Sequence, residues 1–452
     1  MGRIPAQAVL RFVERLEQGG VCMHGFELRA DGRIEAEGYY APFRKGEIHR
    51  MYSVSKSMVS LAVGMLQAEG KLSLGDHIVD YFPDKIDGSV DPRLARLTIR
   101  DMLRMATCYE KTTYREGIDE NWARSFFNTP PTHEPGTMFF YDTSSSQVLG
   151  ELCERLSGKG MLAFLEERLF APLGATDEKR WLTDPSGVAQ GGTGLMMSLR
   201  DLAKVAQCVM DGGHGLIPQA YLAEATAQQI ETGWQGNPEE RYGYGYQFWR
   251  TRHGYCMYGM GGQLAVFCPD EGVLLCTIAD TRLDSYGLQK LYDAFFEEIL
   301  PHVDEASDKQ AEEALARRLA GLRVAGVAHH DAPWDARSRV YRMAGNAAGL
   351  VELRVEESAV ALVWEDGEQR FAWERFGELA HGLFPGTDEP CLVSAGLTRD
   401  GALNVRCQLT HTAPSGFELL VCEKGGTVSL RMKKASGPQV TRYGGLFFGT
   451  EA

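Results

Sequence analysis

No stretch of the chain approaches the roughly 20 consecutive apolar residues that a membrane-spanning helix needs. Its N-terminus lacks the uninterrupted apolar run of a signal peptide. From Met1 to Gly20, the charges Arg3, Arg11, Glu14, Arg15 and Glu17 are interspersed with apolar residues at helical spacing. The segment therefore reads as an amphipathic helix, and the expected location is the cytoplasm, with no membrane partner. Basic residues are scarce relative to acidic ones, 47 against 61, leaving a formal charge of -14. No Lys/Arg run offsets this, so the surface would repel a phosphate backbone and nucleic acid is not expected as a partner. The ten cysteines, among them Cys22, Cys108, Cys208, Cys268 and Cys407, form no C-x-x-C pair and have no His pair at zinc spacing. They read as reduced, mostly buried small apolar residues, and neither a metal nor a cofactor is expected. His329-His330 beside Asp331 offers too few ligands for a metal and reads as surface. Also missing are a G-x-S-x-G elbow, an H-E-x-x-H helix, a G-x-x-x-x-G-K-[ST] loop and a G-x-G-x-x-G turn after a strand. Internal repeats and low-complexity tracts are absent as well.

What is present is an ordinary globular composition, 44% hydrophobic and 24% charged, with 51 glycines and 18 prolines in 452 residues. That length exceeds one ordinary domain and predicts two. Val21–Leu28 and Arg33–Tyr40 read as a hairpin around Ala30-Asp31-Gly32. From about Tyr52 to Gln229 the periodicity is mainly helical, with glycine stops at Gly70, Gly158 and Gly212. Strands return between Tyr242 and Ala279, most clearly at Gln263–Phe267 and Val273–Ile278, and Leu288–Leu300 is amphipathic. These elements predict a layered α+β domain whose middle forms a helical lobe. An acidic, Ala-rich segment with Leu315, Leu319 and Leu322 at helical spacing follows. Beyond it, short alternating segments at Val340–Met343, Leu350–Val355, Ala359–Trp364, Gln369–Trp373, Leu403–Gln408, Phe417–Cys422 and Val428–Met432 predict an all-β barrel or sandwich. The expected division is a first domain over 1–302, a helical linker over 303–322 and a β-rich domain over 323–452. No chemistry stands out in the last of these.

Three segments carry candidate chemistry. Ser53-Val54-Ser55-Lys56 is an S-x-x-K pattern at the start of a helix whose apolar stripe includes Val59, Val63 and Leu66. Exposed N–H groups and the helix dipole at such a terminus favour negative charge developing on a substrate oxygen. The i, i+3 spacing puts the Lys56 amine on the face of the Ser53 hydroxyl, where a desolvated amine could take the serine proton. The competing reading makes Ser53 a helix cap and Lys56 a solvated charge. Tyr141 stands at a loop-to-helix corner, where its phenol could relay a proton if a neighbouring ammonium favours phenolate; a packed aromatic is the alternative. Tyr258-Gly259-Met260-Gly261-Gly262-Gln263 lies between two predicted strands, and its glycines allow close backbone approach and N–H donation to an oxyanion, or simply a tight hairpin.

Taken together and in order, these segments resemble the serine β-lactamase-like family, which includes class C β-lactamases, penicillin-binding proteins, esterases and 6-aminohexanoate-oligomer hydrolases. The resemblance extends from about Arg33 to Leu300. It includes Gly70-Lys71-Leu72-Ser73-Leu74-Gly75-Asp76, Leu97–Leu103, and Gly191-Gly192-Thr193-Gly194-Leu195 ahead of Ser198-Leu199-Arg200-Asp201-Leu202. It implies an acylated Ser53, a proton shuttled by Lys56 and Tyr141, and an oxyanion held by the Ser53 N–H and one from the Gly259, Met260, Gly261 strand, without a metal.

Two departures bear on the substrate. The family pattern Y-x-N is here Tyr141-Asp142-Thr143, so Thr143 would offer a hydroxyl for positioning in place of an amide. The lysine or histidine that usually precedes the strand glycine, and meets a substrate carboxylate, is absent before Gly259. Penicillins and peptidoglycan stems are thereby disfavoured. Tyr114, Trp122, Tyr244 and Trp249 are candidate cleft aromatics, though each type is more often core. The expected function is hydrolysis of a small ester or amide. The alternatives are a binding or sensor protein on the same scaffold, a β-lactamase or DD-peptidase, and a protein whose β-rich module carries the function. Oligomeric state is not encoded in any pattern found.

Overall fold

The first hairpin turns where Asp31 and Gly32 both adopt left-handed φ, 46° and 77°, joining strand β1 (Met23–Ala30) to β2 (Arg33–Tyr39). In the computed structural model, which describes residues 3–411, 413–435 and 440–452, the other edge of β1 pairs with a strand some 250 residues later. The later strands are β3 (Trp249–Thr251), β4 (Gly254–Gly259), β5 (Gln263–Cys268) and β6 (Val273–Ala279). They complete a six-stranded sheet in the order β2-β1-β6-β5-β4-β3. Every neighbouring pair is antiparallel, with Leu28 opposite Leu275 in the centre.

Every residue of β5 and β6 is buried, because both faces of the sheet are covered. Val273 and Leu275 pack with Phe12, Val13 and Leu16 of helix α1 (Ala6–Gln18) and with Leu291 and Phe295 of a helix over Gly287–Glu298. Their neighbours Leu274, Cys276 and Ile278 point the other way, into the helical lobe. Period-2 alternation of side chains thus divides one strand between two cores.

The lobe is built on α2 (Val54–Ala68) and α3 (Thr143–Ser157). Asp142 caps α3, its carboxylate accepting from the Ser144 and Ser145 amides at 2.8 and 3.2 Å, and Gly158 ends it in the left-handed conformation. Helix α4 (Leu199–Met210) starts at the cap Ser198 and packs on the lobe face of the sheet. A small three-stranded sheet of His49–Arg50, Leu195–Met197 and Arg180–Trp181 ties the segment before α2 to the segment before α4.

Helix α5 (Lys309–Ala320) is not a detached spacer. It packs on α1 and β2, and Leu322 comes so near Gly38 that an added Cβ would sit 2.6 Å from it. The chain then forms ten antiparallel strands in one sheet. These are β7 (Arg339–Met343), β8 (Leu350–Val355), β9 (Ala359–Trp364), β10 (Gly367–Ala372), β11 (Ala380–Leu383), β12 (Pro390–Leu397), β13 (Leu403–Leu409), β14 (Ser415–Lys424), β15 (Thr427–Lys434) and β16 (Gly445–Glu451). The order β10-β9-β8-β7-β16-β15-β14-β13-β12-β11 curls into a nearly closed barrel. Phe371 of β10 lies 6.0 Å from Phe384, which follows β11, so the two edges approach each other around an aromatic core. The fold class is α+β with a C-terminal all-β part.

Three of these strands, β11, β12 and β16, were not among the predicted segments. In β12 the alternation is lost because all residues after Pro390 are buried. Cys391, Val393, Ala395 and Leu397 fill the barrel, whereas Leu392 packs into the core beneath the first sheet. A strand buried on both faces has no polar face to display. In β16, glycines and the exposed Leu446 and Phe448 hide the pattern.

Candidate active site

Ser53 occupies the N-cap position of α2, yet its side chain makes no capping hydrogen bond. Its hydroxyl instead meets Lys56, whose Nζ lies 3.1 Å away, and acts on the phenol of Tyr141. Among the described residues nothing accepts from the Ser53 backbone N–H. Lys56 is 1% exposed, far from the solvated charge of the competing reading. The Lys56 amine donates to the Gly192 carbonyl at 2.7 Å and lies over the Tyr141 ring, 5.1 Å from its centroid.

Burial decides the protonation of this group. It lowers the Lys56 amine to about 7, opposed by the negative charge of Asp142. The Asp142 carboxyl is itself raised to about 6 by burial, against hydrogen bonds from the Ser144 hydroxyl and the Ser144 and Ser145 amides. Tyr141 is pushed upward by burial, with the Ser53 hydroxyl acting in the other direction. Near neutrality the amine can be deprotonated while the phenol keeps its proton. The two side chains are thus suited to different halves of a proton transfer, and a phenolate is not what this environment favours.

The remaining residues explain how these groups are held. Gly192 has no room for a side chain: a Cβ there would lie 2.4 Å from the Thr143 methyl and 3.1 Å from Lys56 Nζ. Thr143, the first residue of α3, thereby borders the amine, and its N–H donates to Thr112 Oγ1 at 3.0 Å. Gly259, at the end of β4, abuts the Met51 carbonyl, 2.1 Å from where a Cβ would stand. This close approach carries Gly259, Met260 and Gly261 to the segment just before Ser53. Gly261 and Gly262 then turn the chain with φ of 90° and 95°. The Gln263 amide fastens the turn by donating to the Met260 and Ala279 carbonyls at 3.0 and 2.8 Å.

Among the aromatics, Trp249 stacks on Tyr141 with ring centroids 5.6 Å apart, and Tyr244 meets Trp249 edge-on at 4.8 Å. Tyr244 and Trp249 are 1% and 5% exposed, so they back Tyr141 from within the core. Tyr114 and Trp122 stack on each other at 4.1 Å and are also buried.

Four residues beyond the sequence-based candidates matter here. Asp142 had been noticed only as the middle of an altered motif, and Gly192 only as a landmark. Gln247, in a left-handed conformation at φ 64°, joins α2 to α3: its carbonyl accepts from Ser57 and its side chain from Ser146, both near 2.7 Å. Glu240, half-buried and raised to about 7 by burial, acts electrostatically on Tyr141 and Tyr258. Neither Gln247 nor Glu240 lies in a motif that local sequence could flag. Among the described residues, no group of three or more His, Cys, Asp or Glu is placed to hold a metal ion.

A family model described as Beta-lactamase matches residues 26–283, more than half of the chain. The chain belongs to the beta-lactamase family. Among curated relatives, the 6-aminohexanoate-dimer hydrolase of Paenarthrobacter ureafaciens is 28% identical over 216 residues, covering 44% of this chain and 54% of that one. Esterase EstB of Burkholderia gladioli is 28% identical over 178 residues, covering 35% and 45%. The chain thus spans about half the length of these relatives. The octameric penicillin-binding protein homologue from Pyrococcus abyssi superposes with a TM-score of 0.51 at 15% identity, over 98% of this chain and 99% of that one. That likeness is one of fold and includes the C-terminal barrel.

Proposed function

We propose that this member of the beta-lactamase family is a serine hydrolase that cleaves a small ester or amide through an acyl-serine intermediate. The observation that carries the reading is the contact of a buried, easily deprotonated Lys56 amine with a Ser53 hydroxyl that is not spent on capping its helix. The names of the two relatives, a 6-aminohexanoate-dimer hydrolase and an esterase, support the same class.

In this reading the neutral Lys56 amine donates to Gly192 and offers its lone pair to the Ser53 proton. As Ser53 Oγ bonds to the substrate carbonyl carbon, the proton passes to Nζ. The oxyanion is met by the Ser53 N–H and by an N–H of the Gly259–Gly261 turn. Tyr141, kept protonated by burial, gives its proton to the departing alcohol or amine and regains one from the Lys56 ammonium. Water then adds to the acyl-serine carbonyl by the same relay, releasing the acid and restoring Ser53. Thr143 positions the substrate beside Lys56. The strand residue before Gly259 is Tyr258, so no cation at that position meets a substrate carboxylate, and uncharged acyl groups are the better fit. The free state of all ten cysteines supports a reducing compartment, the cytoplasm.

Intact mass after exposure to a fluorophosphonate, and separately to p-nitrophenyl acetate, tests this on wild type and Ser53→Ala. One adduct on wild type and none on the variant is expected. No adduct on wild type would remove Ser53 as nucleophile and leave a binding protein on this scaffold as the better reading.

A further inference from the structure

The residue immediately before Ser53 is held in a conformation that its side chain does not prefer. Tyr52 has φ of 46°, a left-handed backbone in which a bulky residue persists only when its surroundings over-determine it. Its carbonyl receives the Ser55 N–H at 3.0 Å and the Ser55 hydroxyl at 2.6 Å. Two guanidinium groups lie over its ring, Arg50 at 4.9 Å and Arg282 at 5.5 Å from the centroid. Its hydroxyl accepts from Arg282 Nη1 at 3.2 Å.

Arg282 does more than touch Tyr52. Its Nε and Nη2 donate to the two carboxylate oxygens of Asp280 at 2.7 and 2.8 Å, and Nη2 also donates to the carbonyl of Pro414, just ahead of β14. The side chains of Arg282 and Asp280 are 9% and 5% exposed, so the pair is internal. The backbone next to it supports the other half of the site: the Thr281 N–H donates to the Gly261 carbonyl at 3.0 Å. A Cβ on Gly261 would stand 3.6 Å from Arg282 Nε. One guanidinium therefore borders the residue before Ser53, the turn at Gly261 and the C-terminal barrel.

We propose that Arg282 is a positioning residue through which the C-terminal barrel, by way of the Pro414 carbonyl, fixes Tyr52 and so the orientation of Ser53. The inference rests on the reading of Ser53 as nucleophile. Arg282 does not act by charge on the substrate, because Asp280 neutralises it. It acts by shape: a planar fork with five donors can serve a carboxylate, a hydroxyl and a carbonyl at fixed angles, and an ammonium on a flexible stem cannot. The barrel is thereby part of the catalytic apparatus without supplying a group to the reaction.

The test uses the full chain and compares the rate of fluorophosphonate labelling per folded molecule in wild type, Arg282→Lys, Tyr52→Phe, Pro414→Gly and the double variant Arg282→Lys/Pro414→Gly, with Tm and kcat and KM for p-nitrophenyl acetate. Misplacing a nucleophile slows reaction steeply, so Arg282→Lys is expected to lower labelling and kcat by roughly 10- to 100-fold, with KM changed by less than about 3-fold. Tyr52→Phe, which removes only the hydroxyl, and Pro414→Gly, which loosens only the carbonyl, should fall in the same direction by smaller factors. The double variant should be no slower than Arg282→Lys, as residues acting through one group are not additive. Labelling of Arg282→Lys at the wild-type rate would overturn the role of Arg282 while leaving the Ser53 reading intact. Unchanged labelling of Pro414→Gly, or an independent, multiplicative effect in the double variant, would overturn the part played by the barrel. Activity lost only in proportion to folded protein would make Arg282 merely structural and overturn the proposal. A wild type that takes no label removes the reading of Ser53, and the proposal with it.

Discussion

At the scale of single residues, the chemistry turns on an amine that water does not reach. In the proposed mechanism Lys56 is neutral when it accepts the Ser53 proton, so kcat/KM for p-nitrophenyl acetate should rise with pH along a limb centred near about 7 and level off above it. The negative charge of Asp142 raises Lys56; removing it in Asp142→Asn lowers the amine further and should move that limb to lower pH, while the amide oxygen can still cap α3. A limb that stays in place or moves upward would show that Asp142 does not act on the amine. The same burial has a cost in stability. The unfolded chain keeps Lys56 protonated up to about 10.4, whereas the folded chain releases that proton near 7. Between those values the unfolded state binds more protons, so this contribution favours folding increasingly as pH rises and penalises it most below 7. Lys56→Met should therefore abolish turnover yet raise Tm, by more at pH 6 than at pH 9 in thermal melts. Ser53 and Lys56 were legible in the sequence because S-x-x-K is a local spacing on one helix. Asp142 was on the page but unread, since nothing local says that a helix cap lies beside a lysine 86 positions earlier in the chain.

Among elements, the site depends on close approaches that only glycine permits. Gly192→Ala would drive a methyl into Thr143 and against Lys56 Nζ; a loss of about 100-fold or more in kcat is expected, read alongside Tm to separate it from unfolding. In the first sheet, Leu275→Ala should cost about 2–5 kcal/mol in chemical denaturation, because the position is fully buried between β5, β1 and the helices behind them. A cost under about 1 kcal/mol would mean that this core is looser than it looks. Strands with one wetter face declared themselves: β2, β13 and β15 follow their alternation, whereas α2, buried on every side from Val54 to Leu66, was legible through its S-x-x-K start and its stop at Gly70. β12 did not declare itself, for the reason that makes it useful. Leu392 faces the core beneath the first sheet while Val393 faces the barrel's, so the strand is a wall shared by two interiors. The glycine turn at Gly259–Gly262 could be read as either hairpin or oxyanion strand, and its approach to Met51 is a fact of tertiary packing alone.

Over the whole molecule, the cysteines give a simple check. Cys422 is the exposed thiol, and Cys22, partly covered, is raised to about 11 by burial; one thiol should react quickly with a thiol reagent in the native protein and the rest on unfolding. Two or more fast thiols would show that the barrel or its seam opens readily. That seam runs along both parts of the chain, with Gln408 of β13 donating to Cys22 at 2.9 Å and Lys433 of β15 to the Leu283 carbonyl. The pairing of β1 with β6 carries a further consequence, for the order in which the protein is made. Met23 has to wait for Ala279 before its strand has a partner on that side, and the whole helical lobe is synthesised in between. A ribosome adding about 5–20 residues each second needs on the order of ten seconds or more to supply that partner. During that interval a nascent hairpin with one unpaired edge is a site for chaperones to cover, and Ser53 can come into register only after the chain has doubled back to close it.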